Sequence, residues 1–529
     1  MEEKEAITEG EKRAFEAFSF FLSKYNNQQK RAIISNDKEI LCIAGAGTGK
    51  TTVLTKRIDF LIKFRTINPK DILAITFTRK AKEEMQERLR VLGHSNVNVQ
   101  TFNSFSERTL LKNNDKIYNK KVRMISYTEK IKLLKEALNS FSLKIENAID
   151  NYFTKQQRRG KGDDELFNIL LNDVYFIVDY YKGKGHEIKD FSVKAKKPRE
   201  AKMIYNICRY IDLMKKKHGL RDHMDQVVDT ISFFKKHKEV IPKYPYILID
   251  EYQDVNDLQI ELIDLLDPEN LFCVGDPRQS IFGWRGSNIN YILNFKEKYP
   301  NAKVINLIHN YRSIKPIVNL MNSSIQRMKL ANLNPVIEGD KEIKLVQFAN
   351  ENTEYEFITQ SILASELPRN EIFVLARTNR QLKELSYLLN QRGIRHLLKN
   401  DERKANQEPS QDQLTLATVH AIKGLEAKQV FVIGCTYLNF PCRTAEHPVL
   451  DLIKVDEYDK DEEEQRLFYV ALSRAKELLC LTYSGKTHTS YLTTDVLNKV
   501  KHIKSEIKLK NQSKLTSWYM RKDLEKYER

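Results

Sequence analysis

Between the apolar run Glu39 to Ala44 and the helix-patterned segment Val53 to Ile62, the chain reads Ala44-Gly45-Ala46-Gly47-Thr48-Gly49-Lys50-Thr51. No other stretch of the 529 residues limits the fold as tightly. A glycine-rich turn that leaves a strand and opens a helix lets successive backbone N–H groups converge on an anion at the helix N-terminus, where the helix dipole adds to their pull. A lysine and a hydroxyl at the head of that helix are the groups that neutralise β and γ phosphates and ligate Mg²⁺. The pattern is that of a phosphate loop with Ala in the first position. It assigns Ala44, Gly45, Ala46, Gly47, Thr48, Gly49, Lys50, Thr51 and Thr52 to binding of ATP, with Thr51 a ligand of Mg²⁺.

A site of this kind needs an acidic pair at the carboxyl end of a buried strand, where ligands sit in open α/β sheets. Tyr246-Ile247-Leu248-Ile249-Asp250-Glu251 supplies it. Asp250 is expected to hold Mg²⁺, directly or through water, and Glu251 to polarise the attacking water as general base. Around these segments, short β-type runs alternate with helical periodicity in two separate stretches, the pattern of parallel sheets built from βαβ units. The first offers strands at Glu39 to Ala44, Ile72 to Thr76, Val97 to Thr101, Tyr246 to Asp250 and Leu271 to Val274. The second offers Ile343 to Phe348, Glu371 to Ala376, Leu414 to Thr418, Val430 to Gly434 and Leu478 to Thr482. Between about Leu110 and Lys235 the strand signal gives way to Lys-rich, helix-forming sequence. The expected fold class is therefore α/β, with two lobes and a helical insertion in the first.

Composition bears on the partner. Lys and Arg number 88 against 71 Asp and Glu, and the resulting +17 suits a polyanion such as nucleic acid. A lysine-rich genome bias produces the same excess, so charge alone does not decide. No apolar run approaches the ~20 residues of a membrane span, and the opening Met-Glu-Glu-Lys-Glu lacks the basic and apolar regions of a secretory signal. The six cysteines are scattered without zinc-like spacing and read as reduced, mostly buried thiols. An intracellular protein with no membrane partner is expected.

In order from Asn26 to Tyr483, the remaining segments resemble those of the UvrD/Rep-like helicases of superfamily 1. Tyr25-Asn26-Asn27-Gln28-Gln29-Lys30-Arg31-Ala32-Ile33 resembles the adenine-reading segment, with Gln29 as an amide able to donate to and accept from the base. Ile75-Thr76-Phe77-Thr78-Arg79-Lys80-Ala81 and Thr101-Phe102-Asn103-Ser104-Phe105 resemble two DNA-contacting segments, which assigns Phe77, Thr78, Phe102 and Ser104 to the nucleic acid. Phe102 reads equally well as a core ring. Within Val274-Gly275-Asp276-Pro277-Arg278-Gln279-Ser280-Ile281-Phe282-Gly283-Trp284-Arg285-Gly286, Gln279 matches a γ-phosphate sensor, and Phe282 and Trp284 match rings that stack on bases. Asn310-Tyr311-Arg312-Ser313 implies that Tyr311 stacks on adenine and Arg312 reaches the γ-phosphate. Thr418-Val419-His420-Ala421-Ile422-Lys423-Gly424-Leu425-Glu426 implies a nucleotide contact from Glu426, with Thr418 and His420 near DNA. In the segment Glu463 to Ala475, Arg474 matches an arginine finger.

The resemblance implies two RecA-like P-loop NTPase lobes: 1–110 with 235–308, and 309–505, with 111–234 as the insertion and 506–529 as a basic tail. It implies an ATP- and Mg²⁺-dependent DNA helicase moving 3′ to 5′ on single-stranded DNA and acting at single-strand/duplex junctions, in repair, replication or recombination. Lys50, Asp250, Glu251, Gln279, Arg312 and Arg474 form the expected catalytic set, with ATP between the lobes. Four departures stand out. Thr52 replaces an Arg, His223 an aromatic and Ala427 a Phe. Lys399 to Gln413, about fifteen residues, stands where the family carries a large helical subdomain. A translocase that strips proteins without separating strands and an ATP-switched nucleic-acid-binding regulator stay open as alternatives. RNA stays open as the track, because phosphate and stacking contacts barely distinguish sugars. Arg158, Arg159, Lys182, Lys184, Lys196 and Lys197 read either as an extension of the grip or as a solvated basic surface.

Overall fold

The structure, a computed structural model, describes residues 7–505 except 119, 159, 184–197, 400–406, 444–448 and 450–458. Arg159, Lys184, Lys196, Lys197 and the basic tail with Trp518 and Tyr519 lie outside the described residues. Two compact units emerge. One comprises Met1–Tyr311 with Leu330–Leu333 and Thr444–Glu463, the other Arg312–Lys329, Asn334–Arg443 and Glu464–Arg529.

Among the described residues, the first unit holds a six-stranded parallel sheet in the order Asn98–Thr101, Ile72–Thr76, Tyr246–Ile249, Asn270–Gly275, Glu39–Ala44, Lys303–Leu307. Successive side chains of a strand face opposite sides. Ile40, Cys42 and Ala44 join Val53, Leu54 and Ile58 of the helix Lys50–Arg65 in one core, while Leu41, Leu73, Ile75, Ile247 and Ile249 join Phe105 and Ile263 in another. Burial on both faces accounts for the near-continuous apolar runs in the sequence. The Arg57 side chain donates to the carbonyls of Ala32 (3.0 Å), Ile33 (3.3 Å) and Ser35 (3.0 Å). It thereby satisfies the orphan carbonyls at the end of the helix Asn27–Ile34, which carries Gln29.

The insertion has a core of its own, with Leu134, Leu170, Val174, Ile177, Ile204 and Ile211 from the helices Tyr127–Ser140, Asp163–Gly183 and Pro198–His218. Buried charge accompanies it. Lys182 pairs with Asp212 and Asp225, both at 2.6 Å, and Lys215 pairs with Asp222 and Asp225. Lys182 is thus turned inward, against either surface reading of it, because two carboxylates distant in sequence converge on it. Arg158 pairs with Asp150.

In the second unit, seven parallel strands run in the order His396–Lys399, Leu414–Thr418, Ile372–Ala376, Ala427–Val432, Ala475–Ser484, Lys344–Phe348, Lys501–Lys504. Lys303–Leu307, His396–Lys399 and Lys501–Lys504 were not anticipated; all three are short and lie at sheet edges, where one flank needs no apolar run. All six cysteines are free and buried, as expected. Among the described residues no helix is long and apolar enough to cross a membrane.

Glu354, fully buried on the helix Glu351–Leu363, accepts from the Gly434 amide (2.7 Å) and the Thr482 hydroxyl (2.5 Å). Burial pushes its carboxyl up to about 7. The folded state therefore holds this proton more tightly than the unfolded chain, so the stability it contributes is complete below about pH 4.5 and is lost as pH rises through 7. Glu354→Gln keeps the acceptor and removes the charge. Urea titrations of both proteins across this range are expected to show the variant gaining roughly 3 kcal/mol on the parent by about pH 8; parallel pH profiles would count against it.

Candidate functional site

The phosphate loop, the acidic pair and Gln279 each follow the carboxyl end of a strand in the first unit's sheet. Gly47 and Gly49 adopt φ of 71° and 85°, and Gly49 caps the helix Lys50–Arg65. The loop is held by its carbonyl oxygens. Lys50 Nζ donates to Ala44 O (3.3 Å), Thr48 Oγ1 to Gly45 O (2.9 Å) and Asn310 Nδ2 to Ala46 O (2.7 Å). The Tyr311 amide donates to Gly47 O (2.9 Å) and Gln29 Nε2 to Thr48 O (3.1 Å). A loop fastened by its carbonyls presents its amide side to an anion. Gln29 Oε1 accepts from the Asn26 amide (3.2 Å), so both ends of the expected adenine-reading amide are engaged, and a base edge must exchange these bonds. The Tyr311 hydroxyl accepts from Asn26 Nδ2 (2.8 Å), and the ring is 44% exposed beside the loop.

Thr51 Oγ1 donates to Asp250 Oδ2 at 3.3 Å, bringing the two expected Mg²⁺ ligands together. Two protein oxygens, with the remainder from phosphates and water, is the usual way this hard cation is held, so the donor set fits. Burial, and then the neighbouring Glu251 charge, push the Asp250 carboxyl upward against the pull of Lys50. A divalent cation would favour the ionised form. Glu251 stands at φ 52°, a left-handed position for a non-glycine residue, so its placement carries local backbone strain. A bonded path leads onward: Gln253 Nε2 to Glu251 Oε2 (2.5 Å), the Asp276 amide to Gln253 Oε1 (2.8 Å), and Gln279 Nε2 to Asp276 Oδ2 (2.8 Å).

The nucleic-acid candidates divide. Phe282 and Trp284 are half-buried on the loop that follows Gln279. Phe77 is half-buried and meets Phe102 edge-on at 5.6 Å. Phe102 itself is only 3% exposed and packs with Leu73 and Ile249, so the core reading holds and its ring is not available to a base. Thr78 Oγ1 caps the helix Arg79–Val91 through the Ala81 amide, and Ser104 Oγ accepts from the Thr101 amide (2.8 Å). Thr52 Oγ1 accepts from Arg88 (3.4 Å), which sets a guanidinium beside the position where the family's Arg is missing. His223 makes a 3.2 Å contact from Nδ1 to Gln226 Oε1.

Within the second unit, Arg312, Glu426 and Arg474 gather at the amino ends of the strands Ala427–Val432 and Ala475–Ser484. Arg312 pairs with Glu426 (2.5 Å) and donates to Ser473 O (3.1 Å), and Lys476 also pairs with Glu426 (2.9 Å). Burial alone would raise the Glu426 carboxyl, but Arg312 and Lys476 hold it below its ordinary value. Arg474 donates to Val470 O (3.0 Å), Ser473 Oγ (2.7 Å) and Leu425 O (3.3 Å), so a phosphate would have to draw it from these partners. Thr418 ends the strand Leu414–Thr418 and His420 follows it, at the carboxyl end of the sheet's strands.

Residues 25–300 match the UvrD/REP helicase N-terminal domain, and residues 305–403 and 395–486 match the UvrD-like helicase C-terminal domain. The chain belongs to the UvrD-like helicase family. It is 31% identical over 412 residues to the ATP-dependent DNA helicase PcrA of Staphylococcus epidermidis, covering 75% of this chain and 54% of that one. With PcrA of Staphylococcus aureus it shares 32% over 382 residues, or 69% and 49% of the two chains. The chain spans about half the length of the curated relatives it matches. A solved C-terminal domain of a possible DNA helicase from a Lactobacillus strain aligns over 37% of this chain and 99% of its own, at 16% identity and TM-score 0.26. So slight a likeness has no bearing on the fold.

In this UvrD-like chain, Gln253 and Asp276 are the residues to which sequence reasoning gave no role. Asp276 stands inside the segment Val274 to Gly286 and Gln253 two residues past the acidic pair, but their bond to each other is tertiary. Gly275 explains how they approach: a Cβ there would lie 2.6 Å from Gln253 Oε1 and 3.0 Å from the Gln253 amide nitrogen. Gly275→Ala is expected to cost about 1–3 kcal/mol by overpacking, measured as a shift in urea midpoint. A midpoint equal to the parent's would show that the bridge yields without strain.

Proposed function

We propose that this chain is an ATP-driven motor on single-stranded DNA, an ATP-dependent DNA helicase running 3′ to 5′ and loading at single-strand/duplex junctions. The bonded path from Glu251 through Gln253 and Asp276 to Gln279 supports it most strongly, because Phe282 and Trp284 follow on the same loop. A change at the hydrolytic water then has a short physical route to the group that grips a base. Lys50 neutralises the β and γ phosphates, Thr51 and Asp250 hold Mg²⁺, and Glu251 takes the proton of the attacking water. Bound Mg²⁺ supplies charge neutralisation on the phosphates.

Arg312 and Arg474, from the second RecA-like lobe, stabilise charge on the transferring phosphoryl group, an effect on the order of 10³–10⁵ in rate where arginine fingers act. Tyr311 and Glu426 complete the nucleotide contacts, and Thr418 and His420 the DNA contacts. Hydrolysis then requires the lobes to approach, and product release lets them part. Repair, replication or recombination is the setting for such a motor.

A second reading is a translocase that displaces bound proteins without separating strands. It is favoured by the connection between His396–Lys399 and Leu414–Thr418, which consists of residues 400–413 alone, in place of the large helical subdomain that the resemblance leads one to expect.

Duplexes with a 3′ or a 5′ tail separate these readings. ATP-dependent unwinding is expected on the 3′-tailed duplex only, and at least a hundredfold less with Lys50→Ala or Arg474→Ala, in keeping with the size of such transition-state contacts. Parental unwinding by either variant would sink the mechanism. Streptavidin displacement from single-stranded DNA without unwinding would establish the translocase.

A further inference from the structure

The surroundings of Trp284 extend beyond the loop that carries it. The helix Asp163–Gly183 of the insertion brings Phe176 against Trp284, with ring centroids 5.8 Å apart and planes inclined by 38°. One turn on, Tyr180 lies 6.1 Å from Phe176 and is buried in the insertion core. The exposed Arg285 guanidinium is 4.6 Å from the Trp284 ring and 5.8 Å from the Phe282 ring. Phe176, Trp284, Arg285 and Phe282 therefore form one connected row that crosses from the insertion to the loop.

Phe176 stays half-buried although the same helix buries Tyr175, Ile177 and Val178 on either side of it. A base inserted between two rings needs ~7 Å, twice the carbon contact distance of about 3.5 Å. Phe176 and Trp284 are closer than that, so a strand meets them side by side, as adjacent platforms. Stacking on successive rings is a sequence-tolerant way to hold a single strand, and a guanidinium in the row adds attraction for both bases and phosphates.

We propose that Phe176 is a further base-stacking residue, which carries the Trp284 platform onto the helical insertion. This rests on the proposed role of Trp284 in gripping single-stranded DNA. The insertion then takes part directly in the grip.

The chain has two tryptophans, Trp284 and Trp518. In a full-length Trp518→Phe background, Trp284 fluorescence reports binding of oligo(dT). Phe176→Leu, which keeps an apolar side chain but removes the ring, is expected to raise Kd roughly tenfold, and Phe176→Tyr to stay within about twofold, in line with the stacking of one base. The melting temperature controls for folding. With the unsubstituted protein, photocrosslinking to an oligonucleotide carrying 5-iodouracil is expected to give adducts on Phe176 as well as Trp284, which keeps the test open if Phe176→Leu does not fold. A Phe176→Leu Kd equal to the parent's, or adducts confined to Trp284 and Phe282, overturns the role of Phe176 and leaves that of Trp284 standing. Trp284→Leu binding labelled oligo(dT) as tightly as the parent, with adducts at neither ring, removes the platform itself.

Discussion

The carbonyl oxygens of Ala44 to Thr48 accept hydrogen bonds from Lys50, Thr48, Asn310, Tyr311 and Gln29, and the rest of the first unit is arranged around that fastening. Three of the five donors come from outside the loop. Gln29 arrives on a helix whose far end is tied down by the buried Arg57, and Asn310 and Tyr311 arrive at the end of the sheet's last strand connection. A short glycine-rich loop has little rigidity of its own, since glycine loses the most conformational freedom on ordering. Its geometry is imposed by partners that are themselves fixed in two cores.

Strand order does comparable work for the acidic pair. The strand Asn270–Gly275 lies between Glu39–Ala44, which leads into the phosphate loop, and Tyr246–Ile249, which leads into Asp250. The group that follows this middle strand is therefore carried to the space between the other two. Asp276 and Gln279 occupy that position, and the missing side chain at Gly275 lets Gln253 accept from the Asp276 amide. The acidic pair and Gln279 are neighbours because of topology, and joined through Gln253 because of one glycine.

Legibility from sequence followed burial. Strands packed on both faces, such as Ile72–Thr76 and Ile372–Ala376, announce themselves as apolar runs, and the phosphate loop and acidic pair stand directly after such strands. The edge strands His396–Lys399 and Lys501–Lys504 are too short and polar to do so. Phe102 was ambiguous because one motif position serves a surface ring or a core ring, and only the orientation of the helix Phe102–Lys112 against the sheet decides. The inward turn of Lys182 depends on Asp212 and Asp225, which come from two other helices and carry no local signal.

The sheet of the second unit has its arginines at the amino end of its strands and Thr418 and His420 at the carboxyl end. A strand of six residues such as Ala427–Val432 is about 20 Å long at ~3.3 Å per residue. Parallel strands bonded side by side form a plate, so the strand length sets the arm of any tilt of the sheet. A tilt of about ten degrees, pivoted at the amino end, sweeps the carboxyl end through roughly 3.4 Å, the rise of a single nucleotide along one strand. If the arginines hold nucleotide and Thr418 and His420 hold DNA, as proposed, the length of an ordinary strand would convert a small rotation at one end into a displacement of one base at the other.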